Sequence, residues 1–199
     1  MTQAARRRGY HHGDLKSALV DAAIELIAAR GVQAFSMAGV TRRLGVAPSA
    51  PYAHFTDRDH LLAAVVVRAY QSFHADIVRA IAAAGSPADR LAAIAHAYVR
   101  FAGTRRALFE MISLPGVDKH ANPEVAEAER PVILAFADCV AALTGNSGDA
   151  LATAIEATAH GHAVLLLRGD FGTDDTATSV AAAAAARATL ALIAGRAKI

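Results

Sequence analysis

No segment of this chain sustains the alternation of apolar and polar residues that a half-buried strand requires, whereas apolar residues at three- and four-residue steps recur through most of its 199 positions. Ala, Leu and Arg dominate, residues that lose little freedom on entering a helix, and Gly and Pro fall between the periodic runs as breaks between helices. The spacing predicts an all-α fold of about nine or ten helices.

The first helix is expected over 14–30, with Asp14 as its cap, Leu15, Leu19, Ala22, Ala23, Leu26 and Ile27 on one face, and Gly31 to end it. Ser36 is placed to cap a second, short helix whose Met37, Val40 and Leu44 face inward, and Gly45 stops it. After Gly45-Val46-Ala47 a third short helix follows over 48–54. A long helix over 58–84 comes next, then helices over 88–102, 105–113, 123–143, 148–168 and 176–194. Pro131 lies inside one of these, where it removes a hydrogen bond and crowds the preceding turn, so 123–143 reads as two helices or one kinked helix. The run 180–192 is alanine-rich and almost uncharged, which suits close helix approach, either in a subunit interface or under a well-covered core.

With 54% apolar residues the chain can bury a substantial core. Its single cysteine, Cys139, excludes an intramolecular disulfide and reads as a small buried hydrophobe in a reducing cytoplasm. The basic start (Arg6, Arg7, Arg8) leads into Tyr10-His11-His12-Gly13-Asp14 instead of an apolar run, so export is not expected. Uninterrupted apolar stretches fall short of the ~20 residues that cross a bilayer, and no membrane association is expected of the chain. Net charge is only +2, but residues 1–60 hold eight Lys/Arg against five Asp/Glu, and 61–199 hold twelve against thirteen. The positive excess therefore sits at the front, beside the short helices, in the manner of a nucleic-acid reader.

Two short helices joined by a tight Gly-containing turn behind a supporting helix form the geometry that projects a second helix into a major groove. The wording of the segment is also informative: Ser36-Met37-Ala38-Gly39-Val40-Thr41-Arg42-Arg43-Leu44-Gly45-Val46-Ala47, then Tyr52-Ala53-His54-Phe55-Thr56-Asp57-Arg58-Asp59-His60-Leu61-Leu62. It closely resembles the tetracycline-repressor-like (TetR-like) family of bacterial transcriptional regulators. The resemblance implies a helix-turn-helix domain over 1–57 with a basic arm, and a helical ligand-binding and dimerisation domain over 58–199. It implies that Thr41 and Arg42 approach the phosphate backbone, that Tyr52, His54 and Arg58 bond phosphates, and that Arg6, Arg7 and Arg8 form an arm acting through counterion release. It implies that base reading falls to Pro48, Ser49, Ala50 and Ala53, which offer no bidentate donor, leaving thymine-methyl packing, Ser49 and DNA shape. Ala47 stands where the family usually has a capping serine. Pro51 replaces a larger apolar residue and biases Ala50 away from helix, so an irregular recognition helix is expected.

For the second domain the resemblance implies a homodimer through the helices at 148–168 and 176–194, and an effector pocket for a small, largely apolar molecule. His96, Phe101, Phe109, Met111, Phe136 and His160 are the candidates for its walls, each with a plain core role as the alternative. His160-Gly161-His162-Ala163-Val164-Leu165 resembles the histidine-glycine signature of one subgroup, although the tryptophan that precedes it there is missing. His160 and His162, two positions apart on a helix, diverge and make a poor metal pair. No Gly-rich phosphate loop, zinc motif or nucleophile elbow points to an enzyme, and no cofactor is implied. The reading is a ligand-responsive regulator, a repressor released from a palindromic operator.

Overall fold

The computed structural model describes residues 12–113, 121–146 and 150–196. Among them the regular structure is entirely helical, with eight α-helices and two short 3-10 turns. The count is one or two below the sequence expectation for two reasons. The segment at 48–54 forms a 3-10 turn instead of an α-helix, and Pro131 does not divide its helix. The arm residues Arg6, Arg7 and Arg8 lie outside the described residues.

Two compact units divide the chain, Met1–Val65 and Val66–Ile199, so that the division falls within the third helix. In the first unit, α1 (His12–Arg30) buries Leu19, Val20, Ala22, Ala23 and Ile27, a stripe at helical spacing, and packs on α2 (Met37–Leu44). It begins two residues before Asp14, so that Asp14 stands inside the first turn and not at the cap position expected of it. Gly31 stops it at φ 76°, a backbone conformation that residues with a Cβ rarely adopt. The Ser36 side chain accepts from the Gly39 N–H at 3.2 Å and starts α2; Gly45, left-handed at φ 66°, closes it. Both local predictions hold because each depends only on residues within a turn.

The third helix, α3 (Arg58–Ala82), leads into the second unit, where α4 (Pro87–Thr104) is central. α4 packs against α5 (Arg106–Ser113), α6 (Pro123–Thr144), α7 (Ala150–Arg168) and α8 (Ala177–Gly195). A reciprocal box opens α4: Ser86 Oγ accepts from the Asp89 N–H, and the Asp89 carboxylate accepts from the Ser86 N–H, each at 3.2 Å. Phe73 of α3 meets α4 edge-on at Tyr98 (5.5 Å between ring centroids) and tilted at Phe101 (5.1 Å). α6 runs unbroken through Pro131; the carbonyl that loses its donor there belongs to exposed Glu127, where water can replace the bond. Cys139 is buried, and burial pushes its thiol up from its ordinary value.

Helix hydropathy adds to the reading of uninterrupted apolar runs and is by itself no evidence of a membrane. No uninterrupted apolar run is long, yet α3, α7 and α8 are each long and apolar enough to cross a bilayer, because alanine-rich helices reach that hydropathy with few charges. Within one chain, α7 and α8 leave Val164, Leu165, Val180 and Leu190 exposed.

Candidate nucleic-acid interface and apolar cleft

The turn after α2 takes its shape from Pro51. In an α-helix starting near Pro48, the carbonyl of Ala47 would accept from residue 51, which has no N–H. The Ala50 N–H takes that carbonyl instead, at 3.0 Å, and the tighter pattern continues with Tyr52 N–H on Ser49 O at 3.2 Å. The result is a 3-10 turn over Ala50–Ala53, the irregularity expected of Pro51. Pro51 itself is buried and Phe55 is 5% exposed beneath the turn, with the Lys16 ammonium 5.8 Å from the Phe55 ring centroid. The Pro51 carbonyl accepts from both His54 and Phe55 N–H at 2.9 Å. Anchored from below, the turn presents Pro48, Ser49, Tyr52 and Ala53 outward, with Ala50 and His54 half-buried. Tyr52 is 58% exposed, too much for a core aromatic.

The charged residues beside the turn divide by partner. Arg42 is exposed and its side chain has no hydrogen-bond or ionic partner among the described residues. Arg43 is paired with Glu25 of α1. Thr41 is buried, and its hydroxyl donates to the Ala38 carbonyl at 3.1 Å, so it supports α2 from within. Arg58 is also committed inside the unit. Its Nε donates to the Phe35 carbonyl at 3.3 Å, Nη2 to Val32 at 3.1 Å and Nη1 to Asp59 at 3.2 Å, with the guanidinium 5.4 Å from the Phe35 ring centroid. Its first role is to tie the start of α3 to the 3-10 turn at Val32–Ala34, a part that partners 23 and 26 residues away define.

In the second unit an apolar cleft of about 180 Å³ opens between α3, α4, α6 and α7, lined by Phe73, Ile77, Ile94, Ala95, Tyr98, Val132, Ile133, Phe136, Ile155, Glu156 and Ala159. Of the six candidates read from the sequence, Phe136 alone lines it. Phe101, Phe109 and Met111 are buried core residues. His96 faces a separate, polar cleft. His160 is exposed; its Nδ1 lies 3.0 Å from the Tyr98 hydroxyl and its ring stacks on Phe109. Burial, with the Glu156 charge adding to it, pushes the Tyr98 phenol up to about 12, and the direction of its hydrogen bond with His160 follows the imidazole tautomer. His162 turns elsewhere, with Nδ1 2.8 Å from the Thr158 carbonyl and its ring stacked on Phe171. Among the described residues no three His, Cys, Asp or Glu side chains cluster as metal ligands. The Tyr70 hydroxyl donates to Glu129 at 2.8 Å and binds α3 to α6 at the level of the cleft's helices.

Two family models match the chain: bacterial regulatory proteins of the tetR family over residues 19–65, and the tetracyclin repressor-like C-terminal domain over residues 91–193. Residues of this chain are 33% identical over 79 positions to the HTH-type transcriptional regulator BetI of Rhizobium meliloti (strain 1021). That match spans 40% of this chain and 39% of BetI, well under two thirds of the relative. A protein of unknown function from Rhodococcus sp. RHA1 shares the fold with a TM-score of 0.73 and 28% identity, over 92% of this chain and 98% of its own. The regulator FadR of Bacillus subtilis, solved in complex with stearoyl-CoA, superposes with a TM-score of 0.68 at 15% identity, over 89% and 96% of the two chains.

Proposed function

The chain belongs to the tetracycline-repressor-like family of bacterial regulatory proteins, and from that premise we propose that it is a cytoplasmic, homodimeric repressor that leaves a palindromic operator when an apolar effector enters the cleft of its second unit. The observation that carries the DNA-reading part is the anchored 3-10 turn: Pro51 and Phe55 hold it from below while Ser49, Tyr52 and Ala53 face outward beside unpaired Arg42. Arg42, Tyr52 and His54 act on phosphates and position the protein; Ser49, Pro48, Ala50 and Ala53 meet the bases. The arm residues Arg6, Arg7 and Arg8 add phosphate contacts, and Arg58 gives a further one only with donors its carbonyl partners leave free. Exposed Val164, Leu165, Val180 and Leu190 on α7 and α8 support pairing of those helices with a second copy, which would bury them.

Titration of the purified protein into its own upstream DNA and a scrambled control, followed by fluorescence anisotropy at physiological salt, tests this reading. Preferential binding that saturates at two protomers per site is expected; equal, weak binding to both would remove it. In the same assay Arg42→Ala is expected to weaken binding to all sequences alike and to lower the salt slope by ~1. Substitution of Ser49 is expected to change sequence preference instead.

Effector chemistry follows from the cleft lining. FadR was solved with an acyl-CoA, a polyanion, whereas the described lining here carries one carboxylate, Glu156, and no Lys, Arg or His. A neutral or cationic molecule with an apolar body suits it, its positive end near Glu156 and the Phe73, Tyr98 and Phe136 rings. Binding of octanol, octanoate and octyltrimethylammonium compares equal chains with three charges. Octanoate is expected to bind about fivefold to tenfold more weakly than the cation, with Glu156→Gln closing the gap. The release mechanism needs the ligand to prefer the DNA-free state; α3, which starts in the reader unit and lines the cleft with Phe73 and Ile77, is its proposed carrier. A cleft ligand that left operator affinity unchanged would overturn the switch while leaving the DNA reader standing.

A further inference from the structure

The second unit contains another cleft, of about 280 Å³, with the opposite chemistry. α3 lines it with Asp76, Arg79 and Ala80, α4 with His96, Ala97, Arg100 and Thr104, and Arg105 closes the end. It shares no lining residue with the apolar cleft. Three guanidiniums face one carboxylate, a balance of three minus one, or +2 before His96 is counted. Asp76 is hydrogen-bonded to both Arg79 and Arg105. The guanidinium of Arg105 also lies 5.4 Å from the Phe101 ring centroid, so it is held from two sides. Each of these forks has five N–H donors and spends only part of them on Asp76. Arg100 has no side-chain partner among the described residues. Burial first, then the Arg100 charge, holds the His96 imidazole below its ordinary value, which agrees with positive charge left uncompensated in the cleft.

We propose that this cleft binds a small, multiply charged oxyanion, a phosphate group or a compound bearing one. Asp76 orients two guanidiniums in advance and Arg100 supplies the third, the arrangement in which planar forks meet several oxygens at once. A monatomic anion offers no set of oxygens for those forks and gains only screened Coulomb attraction. The volume holds a phosphate with room for a substituent. An anion there would join α3 to α4, and α3 also lines the apolar cleft, so the site constitutes a second ligand input on the same helix.

Pyrophosphate titrated calorimetrically into the full-length protein, with chloride at equal ionic strength as control, tests the proposal. One pyrophosphate per protomer is expected, together with a rise of a few degrees in Tm that chloride does not give. Arg100→Ala, at an exposed position without partners, is expected to keep the unliganded Tm and weaken pyrophosphate binding about tenfold or more. Arg168→Ala, whose guanidinium is 3.4 Å from Asp170 and outside the cleft, is expected to bind as the unaltered protein does. Equal stabilisation by chloride, undiminished binding by Arg100→Ala, or an equal loss in Arg168→Ala would each overturn the proposal in favour of diffuse screening.

Discussion

Gly103→Val is expected to destabilise the second unit by about 2–4 kcal/mol, read as a lower midpoint of denaturant unfolding followed by circular dichroism. Gly103 lies in the last turn of α4, where a side chain would by itself favour the helix by ~1 kcal/mol. Packing decides the sign. A Cβ at Gly103 would contact Thr178 Oγ1, would stand 2.6 Å from Thr178 Cγ2, and would lie 3.0 Å from Leu166 Cδ2. Comfortable carbon contacts begin near 3.5 Å. Thr178 is β-branched, so no single rotation clears both of its atoms, and valine adds two methyl groups to the crowding. The missing side chain is what lets α4, α7 and α8 meet at this point. An unchanged midpoint would mean that α8 can retreat from α4 without loss.

Phe55→Ala is expected to abolish operator binding at working concentrations, with a fall of about a hundredfold or more, while ligands of the second unit still bind. Removing a buried phenyl ring costs about 3–5 kcal/mol, the lost transfer energy and the cavity together. That is a large share of what a reader of this size has to spare. The ring also underlies the 3-10 turn, whose last hydrogen bond comes from the Phe55 N–H itself. Tyr52→Ala provides the contrast: the side chain is exposed, so its loss should weaken DNA binding without moving the unfolding transition. Retained operator affinity in Phe55→Ala would show that the turn holds its shape without the ring.

Residues whose roles depend on near neighbours were legible from the chain alone. Ser36 caps α2 through an N–H three positions away, Gly45 ends it through its own φ, and Pro51 tightens the recognition turn because one N–H is missing. Periodicity likewise identified which faces turn inward: Leu19, Ala22, Ala23, Ile27 and Val40 are buried, with Leu15, Leu26, Met37 and Leu44 half-buried at the edges of those faces. It did not separate a wall from a core. Phe101 and Phe109 have the same helical signature as Phe73 and Phe136, yet the first two are packed on all sides and the second two border a cleft.

Arg58 and Thr41 have partners within the chain that, for a related reason, were not legible. Their side chains are spent on carbonyls, and for Arg58 the partners come from a turn more than twenty residues upstream. The order of helices, the caps of α2, the irregular reader turn and the family resemblance were all determined by the sequence, since propensity, capping and motif wording are properties of a few adjacent residues. Which inward-facing side chains leave space for a ligand, which arginines are free for an anion, and where α4 and α8 can touch were decided by tertiary structure. Empty volume and unspent hydrogen bonds exist only once several helices are packed together.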